Sequence, residues 1–246
     1  MFIIQVGLNL SEQNKKMKYQ AIRELIAENV RSVFEEQKMK FSLFNAYNFQ
    51  IEKKIGTTIG TVYFDKIIVK GGIQYSGGGM GLLFPDVENI VFPLWIKHQM
   101  WRESFSMPPE KSPGTMGNYD MSEELINARI KFSTITIANI EDVKRYSKEL
   151  INFLLDQVLP WFKHYSDLNN VNAMINSMDD IESANWFSSP HMLRKIVIKK
   201  LCNDASYETY LKFWKDRFEG IRDLENGRYI PYLNAVLDLE KQLASL

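Results

Sequence analysis

Gly71-Gly72-Ile73-Gln74-Tyr75-Ser76-Gly77-Gly78-Gly79-Met80-Gly81-Leu82-Leu83-Phe84-Pro85 is the stretch on which the fold turns. Glycines this dense either cradle a phosphate at the mouth of a helix or serve the turns of short strands. A P-loop needs Lys followed by Ser or Thr where the helix begins, and the dinucleotide fingerprint needs its third Gly three residues after the second. Here the strand-like Leu82-Leu83-Phe84 follows instead, and neither a cation nor a helix N-terminus stands ready to hold a phosphate. The glycines read as a flexible hairpin connection that exploits positive φ angles.

Working outward, short runs rich in aromatic and β-branched residues surround this stretch. Residues 41–51, 57–64, 67–69, 73–75, 82–84 and 90–95 each read as a strand, punctuated by Gly56, Gly71-Gly72 and Gly77-Gly78-Gly79. Gaps this short favour hairpins over crossovers, which implies an antiparallel sheet. Upstream, Ile22, Leu25, Ile26, Val30, Val33 and Phe34 recur at helical spacing over residues 15–37, with Arg23, Glu24, Glu28, Arg31 and Glu35 expected to face water. Before that, Met1-Phe2-Ile3-Ile4-Gln5-Val6 reads as a strand, with a degraded signal peptide as the alternative, since it lacks a basic n-region and a clear small-residue cleavage site.

Downstream, residues 101–120 carry Pro108, Pro109, Pro113, Gly114 and Gly117 and read as a long loop. Loops of that length inside a compact domain are usually functional or disordered. Ser122 can cap a short helix, and residues 132–137 alternate like one further strand. From Asn139 onward everything reads as helix. Asn139 is the expected N-cap, with Val143, Tyr146, Leu150, Ile151, Leu154, Leu155 and Val158 as the inward stripe, and Pro160 ends that helix or starts a new turn. Ser189 is the expected cap in front of Pro190, opening a helix with Leu193, Ile196, Val197 and Leu201 inward. Asp204 caps the next helix, Asn226-Gly227 stops it, and Tyr232, Leu233, Val236, Leu237 and Leu243 build the last. The expectation is an α+β protein: an N-terminal helix and antiparallel sheet over residues 1–138, then an all-helical region over 139–246, packed on the sheet as one compact unit.

Composition bounds what such a chain can do. It has 246 residues, 45% of them apolar, and 30 Lys plus Arg balance 30 Asp plus Glu; a chain this long buries roughly three quarters of its unfolded surface. The balance holds locally, with 12 basic and 9 acidic side chains in residues 1–100 and 18 and 21 in the rest. No basic stripe of the kind that displaces counterions from nucleic acid is present. The longest uncharged run, residues 71–85, is full of Gly, Ser and Gln and could not span a bilayer. Cys202 is the single cysteine, so no intrachain disulfide and no thiolate zinc site can form, and a cytoplasmic location is expected.

Residues with chemistry in them are few. His98, His164 and His191 lie far apart and outside any HExxH pattern, so no metal and no cofactor is expected. His164, Ser166 and Asp167 are the residue types of a hydrolase triad, but no GxSxG elbow accompanies them and a helix terminus capped by Ser166 explains the same letters. Asp179, Asp180 and Glu182 read as a solvated interhelical turn, with nothing nearby to desolvate them, and Cys202 as a buried, inert thiol. Trp95, Trp101 and Phe105 lead into the proline-rich loop and are candidate anchors for a protein partner, although folding back over the sheet explains them as well. If polar groups converge only in three dimensions, the candidate pocket centres on Gly79, His98 and His164.

Leu159-Pro160-Trp161-Phe162-Lys163-His164-Tyr165-Ser166-Asp167-Leu168, following an N-terminal helix and a sheet with Gly72-Ile73-Gln74-Tyr75-Ser76, resembles the uncharacterised bacterial proteins grouped as a DUF4304-like domain of unknown function. The likeness covers about residues 15–180 and brings no catalytic residues with it. It implies the general character of small toxin-immunity and accessory proteins. The resulting expectation is a non-enzymatic protein that binds a protein partner, with no nucleic acid and no membrane. The alternative is an enzyme or small-molecule binder with a pocket between sheet and C-terminal helices.

Overall fold

A computed structural model describes residues 19–43, 48–100, 114–117 and 123–246. The expected α+β architecture is present: an N-terminal helix, a five-stranded antiparallel sheet in the order β1-β2-β3-β4-β5, and a helical C-terminal region. Helix α1 (Tyr19–Glu36) leads through Lys38, at φ +51°, into β1 (Met39–Leu43). Then come β2 (Phe49–Ile55), β3 (Thr58–Val69) and β4 (Gly72–Leu83), joined by tight turns at Gly56-Thr57 and Lys70-Gly71. The chain falls into two compact units, one within Met1–Ile51, Tyr63–Gly78 and Ser122–Val158, the other within Glu52–Val62, Gly79–Met121 and Leu159–Leu246.

The first unit is built around aromatic rings. Phe49 stacks on Phe41 at 4.9 Å and on Phe64 at 4.6 Å, and meets Tyr75 edge-on at 5.0 Å. Strand periodicity places these rings on one face, and Ile22, Ile26, Val30 and Phe34 of α1 are buried with them. Arg23, expected to face water, is 8% exposed. The short helix after residue 122 is α3 (Glu123–Ser133), and it absorbs Phe132, read from sequence as the start of a strand. Of that expected strand only Ile137 reaches the sheet, exchanging two backbone hydrogen bonds with Ile73 at 3.2 and 2.7 Å. Helix α4 (Ile140–Phe153) starts as expected: Asn139 accepts the Asp142 amide at 3.0 Å, while Asp142 accepts the Ala138 amide at 3.1 Å. Its register then slips through a π-helical turn, Leu154–Val158.

The glycine run is not a hairpin connection. The turn lies at Lys70-Gly71, and Gly77, Gly78 and Gly79 sit within the 12-residue strand β4. The physical reason is close approach. At Gly77, φ is +117° and a Cβ would stand 2.6 Å from the Tyr63 carbonyl oxygen, while the Gly77 carbonyl accepts Arg129 Nε at 2.7 Å.

In the second unit, residues 90–95 are not a strand but part of helix α2 (Pro85–Lys97). Pro85 opens it, Asp86 and Glu88 favour its N-terminus, and Val87, Ile90, Val91 and Leu94 form a buried stripe at helical spacing. Part of the expected loop is also regular: Met116-Gly117 form β5, pairing Leu82 with Met116 and Gly81 with Gly117 at the sheet edge. Helices α5 (Leu159–Tyr165), α6 (Leu168–Ser177), α7 (Asp180–Ala184), α8 (His191–Leu201), α9 (Tyr207–Ile221) and α10 (Ile230–Leu243) follow. Pro190 rather than Ser189 is the residue flanking α8, and Asp167 rather than Ser166 caps α6, accepting the Asn169 amide at 2.9 Å. No helix among the described residues is long and apolar enough to cross a membrane.

Candidate functional site

The densest polar cluster lies on α8, in the sequence His-Met-Leu-Arg-Lys-Ile-Val-Ile-Lys-Lys-Leu. All eight residues from Met192 to Lys199 are buried, so this stretch is covered all round and its three cations, Arg194, Lys195 and Lys199, need partners in the interior. Arg194, 0% exposed, forms a fork with Glu88 of α2: Nε donates to Oε1 at 2.7 Å and Nη2 to Oε2 at 2.8 Å, while Nη1 donates to the Ser188 carbonyl at 2.9 Å.

One position on, Lys195 donates to the Asp180 carboxylate, to the Asp180 carbonyl at 3.2 Å and to Ser183 Oγ at 3.0 Å. Tyr210 of α9 donates to the same carboxylate oxygen at 2.5 Å. Burial would raise the Asp180 carboxyl, but hydrogen bonds from Lys195 and Tyr210, with the Lys195 charge, outweigh it and hold the pKa below the ordinary 3.8. Burial lowers the Lys195 ammonium against the pull of Asp180, and burial with the Lys195 charge lowers His191 from 6.5. The Tyr210 phenol is pushed far up by burial and by the Asp180 carboxylate it donates to.

One turn further, Lys199 donates to Asn176 Oδ1 and to Ser206 Oγ at 2.9 Å, 3.9 Å from Asp204. Asp204 does not itself sit at the α9 N-cap; it accepts the Ser206 amide and hydroxyl at 2.7 and 2.6 Å and the side chains of Asn172 and Asn176 at 2.5 Å each. These bonds, Ser206 first, hold its carboxyl far below the ordinary range. The cluster thus ties α6, α7, α8 and α9 together.

Its chemistry is that of a fastener. Ser183 beside Lys195 has the residue types of a nucleophile and base, but the lysine donates and is ion-paired, while the hydroxyl donates to the Asp179 carbonyl at 2.8 Å from a residue 1% exposed. Among the described residues the Ser183 hydroxyl donates only to the backbone carbonyls of Asp179 and Asp180. The expectation of a solvated turn holds for Asp179 and Glu182, which are exposed, with Asp179 capping α7 by accepting the Glu182 amide at 2.7 Å; it is corrected for Asp180, which is half-buried and hydrogen-bonded by Lys195 and Tyr210. The signal in the sequence is the pair Lys195 and Lys199, four residues apart on one helix face and flanking the apolar run Ile196-Val197-Ile198.

The residues singled out from sequence are placed as follows. Trp95 is half-buried on α2, with the Arg194 guanidinium 6.0 Å from its ring and Phe92 edge-on at 6.1 Å. Trp101 and Phe105 lie outside the described residues. Gly79 is in β4, with open space where a Cβ would point. His98 Nε2 lies 3.0 Å from Asp238 Oδ2, which also accepts Lys97 at 2.7 Å, pinning the end of α2 to α10. The Lys97 hydrogen bond outweighs burial and, with His98, holds the Asp238 carboxyl low. His164 is exposed against Tyr165. His98 and His164 thus have separate partners. Cys202 is half-buried and donates to the Leu168 carbonyl at 3.4 Å; burial, then Asp167 and Asp204, push its thiol up. Among the described residues no three His, Cys, Asp or Glu side chains gather as around a metal ion.

One surface carries a different composition. On α9, Phe213 is 46% exposed, and the exposed Arg217 guanidinium lies 6.0 Å from its ring and 5.5 Å from that of Trp214. Leu224 and Ile230, between α9 and the first turn of α10, are 55% and 43% exposed. Comparison of the chain with protein-family models, with curated proteins and with solved structures finds no match in any of the three.

Proposed function

We propose that this chain is a non-enzymatic, cytoplasmic protein of the immunity or accessory type that works by binding a protein partner. The observation that carries the reading is the exposed Phe213 and Arg217 pair on α9. Aromatic rings and arginines are the residues enriched at protein interfaces and their hot spots, and an arginine stacked on a ring is preorganised for contact. The titratable residues of the α8 cluster support it from the other side, since each is engaged in holding helices together. The single cysteine suits a reducing compartment, and the resemblance to the DUF4304-like proteins supplies the immunity or accessory character.

The test is quantitative affinity capture from the source cells with the wild-type chain and with Phe213→Ala/Arg217→Ala. Both side chains are exposed, so the melting temperature should hold while at least one captured protein drops tenfold or more. If no captured protein depends on this pair in a variant that melts normally, the reading fails.

A further inference from the structure

Helix α9 carries on its exposed side a glycine that its own fold does not require. Gly220 lies inside the helix, without a positive φ, and a Cβ there would meet nothing within 4 Å. Glycine weakens a helix relative to alanine, because it gives up more backbone freedom on ordering. Where no turn asks for it, the physical use left to a missing side chain is room for a group from outside the chain.

Phe213 stands two turns earlier on the same face. At 3.6 residues per turn, Phe213, Arg217 and Gly220 fall within about 60° of one another around the helix axis, and Asp216 flanks the line from Phe213 to Gly220 on the side opposite Arg217. All four are exposed. Arg217 stacks on the rings of Phe213 and Trp214 and forms no ion pair among the described residues. Asp216 accepts Lys212 through Oδ2 alone, at 2.6 Å, in a pair whose side chains are both well exposed; such a surface pair holds its members weakly.

These four positions are complementary to themselves. A second α9 can be laid antiparallel about a two-fold axis that passes between Asp216 and Arg217. Residues 213 and 220 are equally far from that axis, as are 216 and 217, so each faces the other member of its pair across the seam. The Phe213 ring then enters the space over the partner's Gly220, as a knob enters a hole. Arg217 meets the partner's Asp216, and the symmetry repeats that opposite-charge contact on the other flank.

We propose that two copies of this chain associate through antiparallel α9 helices, Phe213 of each seated over the partner's Gly220 and Arg217 of each paired with the partner's Asp216. The inference rests on the reading of Phe213 and Arg217 as an interface and names a second copy as the occupant when no other protein is bound. One helix from each side buries an area at the low end of protein interfaces, so the pair is weak and reversible, forming at roughly 1–100 μM chain.

The test is sedimentation equilibrium of the full chain, in which the one-chain mass should give way to the two-chain mass as concentration rises through that range. Gly220→Gln fills the space over the helix, where a single chain has room for it, and should weaken association at least tenfold while the melting temperature holds or rises. Asp216→Arg and Arg217→Asp each set like charges across the seam and should run as single chains. Mixed in equal amounts they should form a two-chain species, because each supplies the charges that the other lacks. A one-chain mass at every concentration would overturn the proposal, as would a two-chain mass that Gly220→Gln leaves unchanged or charge variants that fail to pair on mixing. Those results leave the capture of other proteins by Phe213 and Arg217 as a separate question; a two-chain species with no other captured protein dependent on that pair fails the earlier reading and keeps this one.

Discussion

At the scale of single residues, burial decides what each titratable side chain is for. His191 sits under Trp214, ring centroids 6.0 Å apart, and its pKa lies below 6.5. The unfolded chain therefore binds a proton there more readily, and stability should decline as pH falls through about 6.5. Asp180 and Asp204 act in a lower window: their depressed carboxyls contribute stability that is present above 3.8 and lost as pH falls below it. Urea denaturation from pH 7.5 to 5 should show the first decline in the wild type and a flatter profile in His191→Gln; equal slopes would remove His191 from the account. The first unit offers the opposite case. The hydroxyls of Tyr75 and Tyr146 are buried and find no hydrogen-bond partner among the described residues, and burial pushes the Tyr75 phenol up to about 12. Tyr146→Phe should leave stability unchanged or raise it by up to about 1 kcal/mol, measurable as an equal or higher melting temperature.

At the scale of elements, close contacts and ion pairs set what can be exchanged. Removing Arg194 while leaving Glu88 between α2 and α8 strands a carboxylate whose side chain is 11% exposed; Arg194→Leu should cost about 3–5 kcal/mol. Arg194→Leu/Glu88→Leu should recover most of that, because an apolar pair needs no desolvation of charge. A double-mutant cycle by chemical denaturation reads the coupling directly, and additive losses would count against it. Gly60 in β3 presents a steric case: a Cβ there would stand 2.6 Å from two ring carbons of the fully buried Phe162. Gly60→Ala should cost about 1–3 kcal/mol by overpacking, and Phe162→Leu should relieve part of it in the same background. Reading residues 90–95 as a strand weighed β-branched and aromatic content above position. Pro85 as a helix opener and the stripe Val87, Ile90, Val91, Leu94 were equally legible and were the stronger signal, because burial follows spacing rather than propensity.

At the scale of the whole molecule, two compact units share one chain, and strands β2, β3 and β4 contribute residues to both. Stability and partner binding should therefore separate by variant. The Phe213 and Arg217 changes on α9 should reduce capture and leave melting intact, while Arg194→Leu should lower the melting temperature. A variant that affects both would indicate that the exposed pair also supports packing.

The amino-acid sequence by itself determined the class of fold. Hairpin spacing made the sheet antiparallel, apolar periodicity marked α1 and most of the later helices, and Asn139 announced α4 through its own side chain, because each of these signals acts over a few neighbouring residues. Tertiary structure alone decided the rest. It put Gly77 inside a strand, since only the approach of Tyr63 requires a missing Cβ there. It joined Asp180 and Tyr210, both half-buried, to the buried Lys195 in one network. The hydrogen bonds that hold the Asp180 carboxyl low come from Lys195 and Tyr210, 15 and 30 positions away, and no local pattern carries them.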